Sequence, residues 1–199
     1  MRTLATIFCL LATLVAQPAV AQQSCPNLVV SNNNDVVNGN TSSPCALIAS
    51  NGGDGISLRE ALLAANNATG SGTIAISFAP ALAGETIALT ERFAPITRSQ
   101  ITLTGLTNNG QPDITLDATN AANAGAIFFI ATSNFAMSGM NVTNLPVNFN
   151  GMQIGGFGYT LTGQAVTSPS QICCFQITGN AFSNGNGSNS FAIYVAANV

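Results

Sequence analysis

Two carboxylates four positions apart, Asp113 and Asp117, are the closest this chain comes to an acid–base pair. Such a pair would suit glycoside chemistry, where one carboxyl group protonates the leaving oxygen and the other attacks or activates water. On one continuous strand the two share a face but stand about 13 Å apart, beyond either glycosidase geometry. A later segment would have to supply a nearer partner, and residues 118–199 contain no Asp or Glu. Asp113 and Asp117 are therefore weak candidates, and no catalytic residue is assigned.

Other chemistries are limited by what the chain lacks. With no histidine there is no Ser-His-Asp or Cys-His machinery and no H-E-x-x-H zinc site. With no lysine there is no Walker lysine and no Schiff base. Glu85, Glu91, Arg92 and Arg98 flank turns and read as solvated surface charges, while Arg59 and Glu60 read as parts of a helix start. The loops at 32–35 and 51–55 offer oxygens of the kind calcium takes. Neither matches an EF-hand or a Gly-rich nonapeptide repeat, so no metal or cofactor is assigned.

Charged residues make up 6% of the chain, against about 25% in an ordinary soluble domain. The formal net charge is −3 and all four basic residues are arginines, too few for a phosphate-neutralising patch. Nucleic acid and anionic membrane surfaces are disfavoured as partners. Solubility must come from Asn, Ser, Thr and Gly.

Arg2, the apolar run at 4–15 and Ala19-Val20-Ala21 have the pattern of an export signal cleaved after residue 21. The apolar run is shorter than the roughly 18 residues a membrane span needs, and no later run is longer. A secreted or cell-surface protein with no membrane span after cleavage is expected. In that oxidising setting Cys25 and Cys45 form a natural disulfide. Cys173 shares strand parity with Phe175 and Ile177, which predicts a core position with Cys174 facing outward as a free thiol. A vicinal disulfide or a metal site is the alternative, disfavoured without histidine or a second cysteine pair.

These residues must be positioned by one helix and many short strands. Ser57 and Glu60 form an S-x-x-E capping box, with Leu58, Ala61, Leu62 and Ala65 on one face behind it and a stop at 66–70. The region 22–72 reads as a first strand at 28–30, a disulfide-closed loop and this helix. From residue 73 to 199 period-two runs alternate with turn clusters: Ile74/Ile76/Phe78, Ile87/Leu89, Ile101/Leu103, Ile114/Leu116 and Phe191/Ile193/Val195. Turn residues gather at 108–112, 120–125, 168–170 and 184–189.

A repeat of the form apolar, Ser/Thr, Gly recurs at Leu103, Met137, Leu161 and Ile177. Self-similarity at this scale marks a solenoid, although the spacing is irregular. At about two dozen residues per winding, 73–199 makes about five windings and a column roughly 25 Å tall. The T-x-T spacing at Thr102 and Thr104, which would suit an ice-binding surface, does not recur in register.

The segment 56–67, ISLREALLAANN, resembles the SLREA-type (CSLREA) entry segment of bacterial exported right-handed parallel β-helices. Members commonly place cysteine just before SLREA, where this chain has Ile56, so any disulfide from that position is absent. The resemblance implies a pectate-lyase-like superhelix, frequently part of an adhesin-like surface protein, and no single reaction. The expected fold is all-β: a right-handed parallel β-helix with a short N-terminal capping α-helix. The expected function is structural or binding, with glycans or cell-surface polymers as partners and self-association through the C-terminal winding, where the sequence ends in a strand-like run without a polar cap. A polysaccharide lyase or hydrolase with catalytic windings further along is the alternative.

Overall fold

Alternation of apolar and small polar residues decides the strands. In the computed structural model, which describes residues 25–122, 125–162, 164–167, 169, 171–183 and 191–196, Ile74, Ile76 and Phe78 are buried while Ser77 between them is exposed. Residues 1–21, read from sequence as an export signal, and the 184–189 turn cluster lie outside the described residues.

Three parallel sheets dominate. The first runs Asn27–Val30, Ile74–Phe78, Ile101–Thr104, Phe135–Ser138, Gln176–Thr178. The second runs Thr86–Ala88, Thr115–Asp117, Asn141–Thr143, Ala181–Phe182. The third runs Gly125–Ile130, Phe149–Ile154, Ile193–Val195, and single bridges at Glu91–Ala122 and Ile96–Ile130 extend its pairing to the preceding segment. From residue 74 onward the chain visits first, second and third sheet in rotation. Parallel neighbours cannot be joined by a tight hairpin, so each return is a long crossover.

The core lies between the sheets. Leu28, Ile76, Leu103, Met137 and Ile177 occupy one register column, and Ile87, Leu116, Val142 and Phe182 a second. Ile177 and Phe182, on the last strand of each sheet, are only partly buried. In the third sheet Phe128 stands in register with Met152 and Ile130 with Ile154, and Phe93 packs against Phe128 with ring centroids 5.0 Å apart.

The repeat is spatial. The apolar–Ser/Thr–Gly blocks at 103, 137 and 177 fall in register. A Cβ on Gly105 would collide with the carbonyl of Gly139, so the stacked glycines set how closely these corners approach. The block at 161 leaves the stack: Phe157–Tyr159 and Ala165–Thr167 form an antiparallel hairpin there. A smaller hairpin, Thr107–Asn108 with Gln111–Pro112, turns at Asn109 and Gly110, whose φ values of 50° and 77° fit a type I′ turn.

Two helices cover the N-terminal end where the sequence predicts one. The unpredicted α1, Pro44–Ala49, is capped by Ser43, whose side chain accepts from Ala46 N, and starts on Pro44. The predicted α2, Leu58–Asn66, has its full capping box at Ser57 and Glu60 and ends at Asn66. It buries Leu58, Ala61, Leu62, Ala64 and Ala65. The Cys25–Cys45 disulfide, Cα–Cα 5.2 Å, ties the start of the first strand to α1.

Two strand predictions need correction. Gly125–Ile130, where a turn is expected to end, is a strand buried along nearly its whole length. At the other end Ile193–Val195 is a strand, but Phe191, Ile193 and Val195 are 52%, 40% and 66% exposed and form no core column.

Candidate functional site

The buried charges gather at the N-terminal end. The Asp35 carboxylate accepts from Arg59 Nε at 2.8 Å and Nη2 at 2.7 Å, and from Thr90 N and Oγ1, each at 2.7 Å. Arg59 also donates from Nη1 to the carbonyl of Arg92 and from Nη2 to that of Glu91. Its guanidinium carbon lies 5.0 Å from the centroid of the Phe93 ring, a cation–π contact. Glu60, fully buried, accepts from Ser57 N, Asn38 N and Gly39 N at 2.9, 2.9 and 2.6 Å. Ser57 Oγ accepts from Glu60 N and donates to the carbonyl of Val36.

This cluster welds the 35–39 loop, α2 and the 90–93 segment together. With each carboxylate already holding several donors, it is built to hold structure rather than to move protons. The Asp35 oxygens, a calcium candidate from sequence, are spent on Arg59 and Thr90. Asp54 accepts from Asn38 Nδ2 at 3.1 Å and Asn34 Nδ2 at 3.4 Å. Among the described residues no three His, Cys, Asp or Glu side chains group as a metal site would require.

The remaining arginines correct the surface-charge expectation. Arg92 is 6% exposed, and its Nη2 donates to the carbonyl of Thr160 on the 157–167 hairpin. Burial pushes its pKa down, partly opposed by the charge of Glu91. Arg98, half-buried, donates to the carbonyls of Ala68, Gly72 and Ser99, holding the turn that follows α2. Glu85 is exposed and accepts from Asn33 Nδ2 at 3.0 Å. Sequence periodicity cannot reveal these roles, because each arginine acts on backbone carbonyls, which carry no residue signature.

Asp113 and Asp117 are not brought together as an acid–base pair. Asp117 ends its strand, and its Oδ1 accepts from Thr119 Oγ1 at 2.6 Å, Thr119 N at 2.9 Å and Asn144 Nδ2 at 3.0 Å. The Thr119 hydroxyl, then its backbone N–H and Asn144, hold the Asp117 carboxyl below its ordinary value. A general acid needs the opposite shift. Asp113 lies outside the strand, its backbone bonded to Gly84 and Leu106.

The outer face of the first sheet carries a different pattern. Ser77, Thr104, Ser138 and Thr178 stand in one register row across four neighbouring strands. Beside it runs a row of Asn27, Ala75, Thr102, Ala136 and Gln176. Neither row contains a charge or an aromatic ring. Parallel strands stand about 4.8 Å apart, so the hydroxyls repeat at that interval. Sequence spacing hides the row because 27 residues separate Ile74 from Ile101 but 34 separate Ile101 from Phe135.

Cys173 also departs from its predicted place. The segment 171–175 is not a strand, and both Cys173 and Cys174 are free and exposed. The left-handed backbone of Cys174, φ 67°, breaks the alternation on which the parity argument rests.

An open cleft of about 340 Å³ lies between the end of α2, the 94–97 segment and the hairpin tip, with Leu63, Pro95, Leu161 and Val166 on its walls. Its Asn66 is already committed, donating to the carbonyl of Pro95 and accepting from Thr97 N. No family model, curated protein or solved structure matches this chain.

Proposed function

We propose that this chain is an exported right-handed parallel β-helix of the SLREA-type class and acts as an adhesin-like binding element for neutral glycans. The three-sheet rotation and the register columns support the solenoid, and crossovers between parallel strands are right-handed in nearly all proteins. The observation that carries the binding role is the uncharged hydroxyl row Ser77, Thr104, Ser138 and Thr178. A regular row of hydroxyls on a stiff sheet offers many weak, aligned hydrogen bonds to a polymer with its own regular hydroxyls. The lack of charge on that face favours neutral over acidic polysaccharides.

A glycan array followed by sedimentation with the best neutral polysaccharide tests this reading. Thr104→Arg, at the middle of the exposed row, is expected to weaken binding about tenfold, equivalent to roughly 1.4 kcal/mol. Binding equal to that of the unmodified protein would remove this face from the account, and an array without neutral hits would remove the role.

Self-association is the second reading, favoured by the exposed side chains of Phe191, Ile193, Tyr194 and Val195 in and just before the strand that, among the described residues, is outermost in the third sheet. An apolar strand edge with free backbone groups is a template for another strand. Light scattering is expected to give a dimer that Ile193→Lys converts to a monomer. A monomer at every concentration of the unmodified chain would dismiss the idea.

A further inference from the structure

Free cysteines are among the most buried residues in proteins, yet here both are exposed. Three features fix them there as a pair. Ile172 and Phe175, on either side, pack against the core. Cys173 N donates to Ser133 Oγ at 3.1 Å, and the carbonyl of Cys173 accepts from Asn134 N at 3.0 Å. Cys174 is in the left-handed region, so the two side chains do not take the opposite faces of a strand. The pair thus sits on an anchored turn, adjacent along the chain, with both side chains open to solvent.

We infer that Cys173 and Cys174 form a chelating site for a soft cation of low coordination number, of the Cu(I) and Ag(I) class. Thiolates select soft metals. Zinc would need about four ligands, and no third His, Cys, Asp or Glu joins the pair among the described residues. Closing the pair on itself is disfavoured, because adjacent Cα atoms are about 3.8 Å apart while unstrained disulfides need roughly 4.4–6.8 Å. A metal ion between the sulfurs widens the ring and relieves that constraint. Binding is a ligand exchange without redox change: one monovalent cation joins two sulfurs, and both thiol protons pass to solvent.

This inference does not depend on glycan binding and is tested separately. Purified protein is titrated anaerobically with Cu(I) against a chromogenic Cu(I) chelator, alongside Cys173→Ser, Cys174→Ser and the double variant. The unmodified chain is expected to take one Cu(I). Each single variant should lose roughly a hundredfold in affinity, the scale of a lost chelate, and the double variant should take none. Melting temperatures should be unchanged, since both side chains are exposed. The inference is overturned if the unmodified chain takes no Cu(I), if a single variant keeps its affinity, or if peptide mapping finds the two sulfurs bonded to each other or to other thiols.

Discussion

Leu103→Asp is expected to abolish cooperative folding. Leu103 is fully buried on the middle strand of the first sheet, in register with Ile76 on one side and Met137 on the other. Removing a buried leucine costs about 2–5 kcal/mol, and burying an unpaired carboxylate adds several more. A domain has only about 5–15 kcal/mol of stability in all, so nothing is left over. Thr104→Asp, one residue along and facing outward, is the control and should leave the melting temperature within a few degrees. A Leu103→Asp protein that melts normally by circular dichroism would mean that the column is not the core.

Arg59→Ala is expected to destabilise the N-terminal end by about 3–5 kcal/mol, the usual cost of removing one partner from a buried ion pair. Side-chain exposure is 6% for Arg59 and 3% for Asp35, so the orphaned carboxylate has little water to turn to. The carbonyls of Glu91 and Arg92 lose their donor as well. Arg59→Lys should recover little, because a single ammonium cannot reproduce the two-point contact with Asp35 while reaching both carbonyls. Amide hydrogen exchange should rise first at 35–39 and 90–93, with the strands near 137 protected longer. Uniform exchange across the chain would contradict a local weld.

What could be read from sequence was local. Ser57 and Glu60 are three residues apart, so the capping box and the helix behind it are visible without tertiary knowledge. Cys25 and Cys45 are correctly paired on the expectation of an oxidising setting. The short α1 escapes because six residues hold too little periodicity, although Ser43-Pro44 is a start signal in retrospect. Gly125–Ile130 escapes because a strand buried on both faces has no alternation to detect.

The charged residues were harder still. Arg59 meets Asp35 across 24 positions and Arg92 meets Thr160 across 68, distances over which only the fold decides proximity. Strand parity misplaces Cys173 because it assumes an unbroken strand, which the left-handed Cys174 interrupts. The hydroxyl row needed the register itself, since its members are unevenly spaced along the chain.

That uneven spacing has a consequence for engineering. Between successive strands of the first sheet the connecting length varies by a dozen residues or more, yet the inward partners still meet side by side. The corners that carry the 107–112 and 157–167 hairpins are therefore natural ports for grafting foreign peptides. A cargo inserted there would be displayed outward while the greasy interior kept its order.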